Sequence, residues 1–521
     1  MSQQLRRQLG LFQLLCVSVS SIIGSAWLFA AMFASQLAGP AAIISWLISA
    51  GAAMLLALVY AELGAAFPVA GGLARFSYFS HGNLTGFLAG MACWLGYVAV
   101  APIEVQAMVR YLSDFLPWLL QDEHTRTLSA CGTAVSAGLL LLMSMINLLG
   151  VSWLGESNKL LTIWKLLIPV LIPITLLTVA FRPGNFTDFG GFLPGGWNGV
   201  FAAVSTGGTL FAMLGFRTAI EMAGEAKNPQ RDIPLALIGS VFITSAVYIL
   251  IQIAFIGALP GSSLAHGWSK LSSHVDTGPF VELAAAAGLF WLVKLILVDS
   301  VVSPGGCGMV FCGASARLSF AMARNGQLPQ WFTILNRNGV PSRAILVNFL
   351  VGLIFFAPSQ TWQSIVSFIS SIQVMSLAFG PPALIALRRT APHVARPFRL
   401  PAYRALCSLA FIAANIMIYW CGWQTNRVCF FILLVMGLLF VVLKKIRTPR
   451  ESLDLSGLLW LAPYGLGIAV ISLLGQFGGG WKWVPSGWDA ALLAAGSLCI
   501  LRIAEHAPTA RLPEEISPQT S

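Results

Sequence analysis

Two stretches of this chain interrupt apolar sequence with residues small enough to leave the main chain bare. The first is Ser20-Ser21-Ile22-Ile23-Gly24-Ser25-Ala26-Trp27-Leu28-Phe29. The second lies around Met213-Leu214-Gly215-Phe216 and is followed at once by Arg217. A helix broken inside lipid exposes N–H and C=O groups at a cost of several kcal/mol each, so a break persists only beside protein or a polar cavity. Its N–H groups and positive dipole end attract a carboxylate, and the opposing C=O groups attract a cation such as an ammonium. A pair of breaks therefore offers both halves of an amino-acid zwitterion site. The backbone N–H groups of Gly24, Ser25 and Ala26 are the expected carboxylate donors. The carbonyls of Ser20 and Ile23, with those around Phe211 and Met213, are expected to hold the amine, and Gly215 and Phe216 to complete the second half. Small residues also let membrane helices pack closely. Breaks in corresponding positions of two halves point instead to a central binding site.

A second group of residues carries charge inside apolar sequence, where an ionisable side chain marks function by default. Lys165 lies in Leu161-Thr162-Ile163-Trp164-Lys165-Leu166-Leu167-Ile168-Pro169. At roughly 1.5 Å per residue it sits about 10 Å past its helix start, deep for contact with the headgroups. Arg217 and Glu221 are four apart and share a helix face. They read either as a structural ion pair or as a site where the Arg217 guanidinium grips an anionic side chain, which would select aspartate or glutamate. Glu104 and Arg110 are turned about 240° from one another, so they meet different neighbours; Glu104 reads as a gate, a proton site or the partner of a cation. Lys294 and Asp299, about 140° apart, lie beside Ser303-Pro304-Gly305-Gly306. With Glu104 and Glu221 they are assigned to a gating or coupling network. Glu62, near the end of its apolar run, reads as structural. His266 and His274 have no other ligand type nearby, and no metal site is expected.

The elements that must position these residues are membrane helices. Of 521 residues 57% are hydrophobic and 9% charged, with mean hydropathy +0.80; lipid is the solvent for most of such a chain. Apolar runs of about 20 residues fall near 12–34, 40–64, 84–115, 129–150, 158–181, 199–223, 234–259, 281–312, 343–358, 362–387, 405–423, 426–443, 457–476 and 487–504. The expected fold is an all-α polytopic membrane protein of about fourteen helices, or about twelve if one late pair is miscounted. The net charge of +11 is unevenly placed: about 21 of the 30 Lys and Arg residues fall on the side of the N-terminus, the bias of cytoplasmic loops. That distribution, not nucleic-acid binding, explains the charge. The nine cysteines lie mostly in apolar runs and suggest no disulfide framework. The first run has no small-residue cleavage site and reads as a membrane helix, not a signal peptide.

Several motifs together resemble the amino acid–polyamine–organocation (APC) transporters. They are Ile23-Gly24-Ser25-Ala26-Trp27-Leu28-Phe29; Tyr60-Ala61-Glu62-Leu63 with Pro68 and Gly71-Gly72; and Gly215-Phe216 followed by Gly224-Glu225-Ala226-Lys227-Asn228-Pro229-Gln230-Arg231-Asp232-Ile233-Pro234. The likeness spans roughly residues 10 to 450 and is similar in detail to the bacterial aspartate:proton symporter branch. It implies a five-plus-five inverted-repeat core with helices 1 and 6 broken at the substrate site, working by alternating access. It also implies that Lys165, in the fifth helix, is the proton carrier. Two positions depart from the pattern: Ala26 stands where the family often has Gly, and Arg217 where it often has an acidic residue.

The resulting expectation is proton-coupled transport of acidic amino acids across a bacterial inner membrane, the alternative being an amino acid or amine exchanger on the same fold. The expected divisions are a cytoplasmic segment 1–10, a ten-helix core 11–390, helices 11 and 12 over 391–446, an extra helix pair 447–504 and a cytoplasmic tail 505–521. The expected partners are a small-molecule amino-acid substrate and the lipid bilayer, not nucleic acid, with no cofactor besides the coupling proton. Oligomeric state is left open. An enzyme would need a nucleophile–base pair or metal cluster within the spans, a channel repeated filter segments, and a primary pump an ATP-binding domain; none of these patterns is present.

Overall fold

The computed structural model describes residues 8–69, 71–113, 115–121, 127–271, 278–357, 362–447, 456–485 and 487–507. Among them the regular structure is helix, joined by turns and loops, with two isolated bridges at Leu9–Ala226 and Leu120–Leu128. His274, residues 1–7, most of the linker before 456 and the tail beyond 507 lie outside the described residues.

The first span is broken. Helix α1 (Leu11–Ile22) ends where Ile23 turns extended (φ −85°, ψ 95°), and α2 (Ala26–Ala38) begins after Gly24 and Ser25. A short 3-10 turn at Gly39-Pro40-Ala41, with Gly39 at φ +61°, leads into α3 (Ala42–Ala66). Helix α4 (Gly72–Leu112) bends at His81-Gly82, where Gly82 takes φ +80°. Then come α5 (Ala130–Asn147), capped by the Ser129 hydroxyl on the Gly132 N–H, and α6 (Val151–Ala180), which contains Pro169 and Pro173.

The sixth span is broken too, but not only where the sequence suggests. Helix α7 (Gly196–Ser205) and the stretch Thr209–Glu221, which opens with α8 (Thr209–Met213), meet at a 47° bend, with Gly208 at φ +88°. At the expected site, Met213-Leu214-Gly215-Phe216, the chain tightens into a 3-10 turn over Leu214–Arg217 before α9 (Thr218–Glu221). The sharper discontinuity therefore sits at Thr206-Gly207-Gly208, because only glycine enters the left-handed region without strain.

Helix α10 (Pro229–Ala258) starts with Pro at its first position, as helix geometry favours. Short α11 (Gly261–Leu264) and α12 (Pro279–Ala286) precede α13 (Phe290–Arg324). Next are α14 (Ser342–Gly352), α15 (Trp362–Leu377), α16 (Gly380–Thr390), α17 (Tyr403–Trp420), α18 (Trp423–Arg447), α19 (Leu458–Leu474) and α20 (Trp488–His506).

Every predicted span has a helical counterpart. By length and composition nine stretches among the described residues can cross a bilayer, or ten if the bent pair is one span. The difference from about fourteen has three sources. Ala26–Ala66 runs through two predicted spans as one stretch; Leu11–Ile22, Ser342–Phe356 and Leu458–Leu474 are short; and α20 carries three charges, Asp489, Arg502 and Glu505. On α18 the exposed residues Phe431, Leu434, Leu438, Val442 and Ile446 recur every three or four positions, a stripe suited to lipid.

The interior is built by α4 packed along α13 and α15, and by α3 along α10. The broken α1 runs between α10, α6 and α13. This enclosure lets irregular backbone exist at membrane depth.

Candidate functional site

The two breaks touch. Ser21 Oγ donates to the Gly215 carbonyl at 2.8 Å and shares a hydrogen bond with Thr218 Oγ1 at 2.8 Å; Ser18 Oγ donates to the Phe216 carbonyl at 3.0 Å. A Cβ on Gly215 would lie 2.5 Å from the Ser21 carbonyl carbon and 2.6 Å from the Ile22 nitrogen, so only glycine allows this approach. Beside the junction lies a small cavity of about 10 Å³, room for about one water molecule, bordered by Ser21, Glu104, Phe211, Gly215, Cys307 and Gln373.

A helix that stops at Ile22 leaves its last carbonyls without intrahelical partners. Three neighbouring helices supply donors. Lys165 of α6 donates through Nζ to the Ser20 carbonyl and to Ser20 Oγ (3.1 Å), Cys307 of α13 donates to the Ser21 carbonyl (3.3 Å), and Tyr248 of α10 donates to the Ile22 carbonyl (2.8 Å). A cation at a helix C-terminus also complements the helix dipole. The Ser20 carbonyl, expected to hold a ligand amine, is thus taken by Lys165. The Phe211 carbonyl accepts from the Leu214 N–H within its own segment, while the Phe211 ring borders the cavity. Met213 is buried with its sulfur 3.6 Å from Ser245 Oγ.

The N-terminal end of α2 is filled from across the bundle. The Ser25 N–H donates to Glu104 Oε2 at 2.6 Å. Glu104 Oε1 has no hydrogen-bond partner, and a Cβ on Gly24 would sit 2.6 Å from it. Of the expected carboxylate donors, the Ser25 amide therefore holds a carboxylate already, an internal one; Ala26 begins α2 and is buried. Ser25 Oγ accepts from Trp362 Nε1 at 3.2 Å. The Trp362 ring lies 5.4 Å from those of Phe29 and Phe33 and 6.2 Å, edge-on, from Phe211, so aromatic side chains cover this side.

Asp299 is buried and accepts from Trp164 Nε1 (2.7 Å) and Ser303 Oγ (2.8 Å). Lys294 is not brought to this cluster: it is exposed, on a different face of α13 from Asp299.

Arg217 is fully buried. Its Nη1 donates to the Gln373 carbonyl (3.2 Å) and Ser376 Oγ (2.8 Å), and its guanidinium lies 4.6 Å above the Tyr97 ring. Its Nε and Nη2 have no hydrogen-bond partner. No ion pair within 4.0 Å joins it to Glu221, so helical spacing alone does not make that pair. Arg217 stands behind Gln373, which borders the cavity.

Away from the cavity, ion pairs tie the helix ends together. Glu62 is held by Arg388, Arg396 and the Leu400 N–H, in the structural role expected of it. Glu225 pairs with Arg317 at 2.7 Å, and the Glu225 and Leu9 carbonyls bind the N–H groups of Gln8, Leu9 and Lys227.

Sequence reasoning missed Ser21, Tyr248, Cys307, Trp362 and Gln373. Tyr248 and Gln373 were visible as polar groups inside apolar spans. Cys307 follows the Pro304-Gly305-Gly306 run, and nothing local distinguished Trp362 from a core residue.

Comparison with known proteins agrees with this arrangement. A family model described as amino acid permease matches residues 9–462. The chain is 39% identical over 503 residues to the glutamate/serine transporter AimA of Bacillus subtilis (strain 168), covering 95% of this chain and 93% of that one. It is 35% identical over 507 residues to the aspartate-proton symporter of the same organism, covering 96% of each. The human cationic amino acid transporter 4 is 28% identical over 403 residues, 74% of this chain and 61% of that one. With its two broken spans joined at a buried cavity, the chain is a polytopic membrane transporter, not an enzyme, and belongs to the amino acid permease family.

Proposed function

We propose that this protein moves acidic amino acids such as aspartate and glutamate across a bacterial inner membrane by alternating access, driven by protons, with both termini in the cytoplasm. The observation that carries the reading is the Ser25 amide at the start of α2: a main-chain donor beside a buried cavity, already shaped to a carboxylate. The names of the two bacterial relatives, one for glutamate and serine and one for aspartate with a proton, support the substrate class and the coupling ion.

Residues 11–390 form the transport core, followed by helices 11–12 over 391–446 and a peripheral pair over 447–504. Lys165 carries the driving proton. As an ammonium it ties α6 to the last turn of α1 through Ser20. Deprotonation removes the charge that complements that helix end and loosens the tie. Arg217 selects an acidic side chain with its free Nε and Nη2 once Gln373 gives way.

The test is uptake of radiolabelled aspartate into proteoliposomes. An inward proton gradient should raise accumulation several-fold, a protonophore should abolish the rise, and Lys165→Met should weaken the gradient response while keeping its fold. Uptake that ignores the gradient but requires amino acid inside the vesicle would assign the protein to exchange instead.

A further inference from the structure

We propose that Glu104 is a built-in occupant of the carboxylate cradle: it holds the Ser25 amide when no substrate is present, and an incoming substrate carboxylate displaces it. This rests on the amino-acid reading above and adds the residue that must leave before substrate can bind.

The geometry has three independent parts. First, the cradle is filled from another element. Glu104 comes from α4, is 1% exposed, and reaches 2.6 Å from the Ser25 nitrogen at the start of the 13-residue α2. A serine in this position ordinarily caps its helix with its own hydroxyl. Ser25 does not; its hydroxyl accepts from Trp362 instead. Second, the opposite end of the break is closed by fixed donors, Lys165, Cys307 and Tyr248, each from a different helix. The Glu104–Ser25 bond is the contact at this break made by a side chain that also borders the cavity and has a free oxygen. Third, Gly24 supplies the room. A Cβ there would meet both Glu104 Oε1 and Cys307 Sγ within 2.8 Å.

Two carboxylates do not share one amide in a medium of low dielectric, because like charges brought together disfavour joint ionisation. Substrate therefore binds together with a second proton, separate from the one on Lys165, which goes to the Glu104 carboxylate and makes it a neutral acid that can leave the amide. When substrate departs on the far side, Glu104 releases that proton there and returns to Ser25. The groups that face it are Lys165 from α6, Cys307 from α13 and Tyr248 from α10. Lys165 acts at the carbonyl end of the break and Glu104 at the amide end, so their variants give separable results.

The experiment is radiolabelled aspartate binding to the purified full-length protein in detergent between pH 6 and pH 8.5. Wild-type affinity should weaken as pH rises, by up to about tenfold per unit for one linked proton, and a pH-indicator dye in weak buffer should report proton uptake on binding. Glu104→Gln should bind at least as tightly as wild type at the high end, with a flattened pH profile and no proton uptake. A Glu104→Gln protein with the wild-type slope and proton uptake overturns the proposal, as does a folded one that binds nothing. Should Glu104→Gln not fold, Glu104→Asp replaces it: one methylene shorter, it holds the amide less well, so binding should tighten while the slope persists, and unchanged or weaker binding overturns the proposal. If the wild-type protein binds neither aspartate, glutamate nor serine, both the functional reading and this inference fall; binding by wild type with an unaltered Glu104→Gln profile removes the inference alone.

Discussion

Arg217 and Lys165 are both wholly buried cations, yet they do different things, and the difference lies in what each touches. Lys165 spends its charge on a helix end, donating to Ser20. Arg217 lies against the Tyr97 face and uses one nitrogen, leaving two donors without partners. A buried guanidinium with unused donors is costly, and an acidic ligand side chain would satisfy them. Arg217→Ala should therefore reduce aspartate uptake at least tenfold while leaving serine uptake within a few-fold of wild type, read from competition between labelled aspartate and unlabelled serine. Equal loss for both substrates would assign Arg217 to packing. The sequence made these charges visible because they stand alone in apolar runs. It did not reveal their neighbours, since Gln373 and Ser376 lie more than 150 positions away. Nor did it separate Lys294, which is exposed, from Asp299, which is buried. Both lie in the same apolar run, and only packing decides which face turns inward.

At the scale of elements, the first break was legible and the second partly so. Ile23-Gly24-Ser25 stands out because large apolar residues flank a lone glycine. Ser205-Thr206-Gly207-Gly208-Thr209 did not stand out, because small residues are common packing residues in membrane helices. The structure nonetheless puts its larger bend there, with Gly208 at φ +88° and Trp362 and Ala30 close by. An L-residue in that backbone conformation costs about 1–2 kcal/mol. Gly208→Ala should lower the melting temperature of the purified protein by several degrees and slow uptake, whereas Gly138→Ala, where a Cβ meets nothing within 4 Å, should change neither. Equal melting temperatures for the two variants would show that the bend does not depend on Gly208. The total of spans was the least legible feature. Hydropathy cannot tell one long helical stretch from two spans joined by the tight turn at Gly39-Pro40-Ala41.

Across the whole molecule, the cavity lies between two kinds of closure. On one side Phe211 borders it, and Trp362, Phe29 and Phe33 pack in series behind Phe211. Elsewhere the Glu225–Arg317 pair and the backbone bonds joining Gln8 and Leu9 to residues 225–227 fasten the N-terminal segment to the chain following the sixth span. Alternating access requires one closure to open while the other holds. The polar fastening is the weaker, because its parts can exchange their partners for water. Glu225→Gln should therefore raise labelling of the cavity-lining Cys307 by a water-soluble maleimide several-fold, measured by mass spectrometry of the labelled peptide. Unchanged labelling would show that this pair does not hold the cavity shut.

The most direct test is an experimental map of the protein with aspartate bound. The expected result is density for a ligand carboxylate about 3 Å from the Ser25 nitrogen, with the Glu104 side chain withdrawn and the ligand lying between residues 23–26 and 211–217. Ligand density elsewhere in the bundle, or Glu104 still on the Ser25 amide beside a bound amino acid, would contradict it.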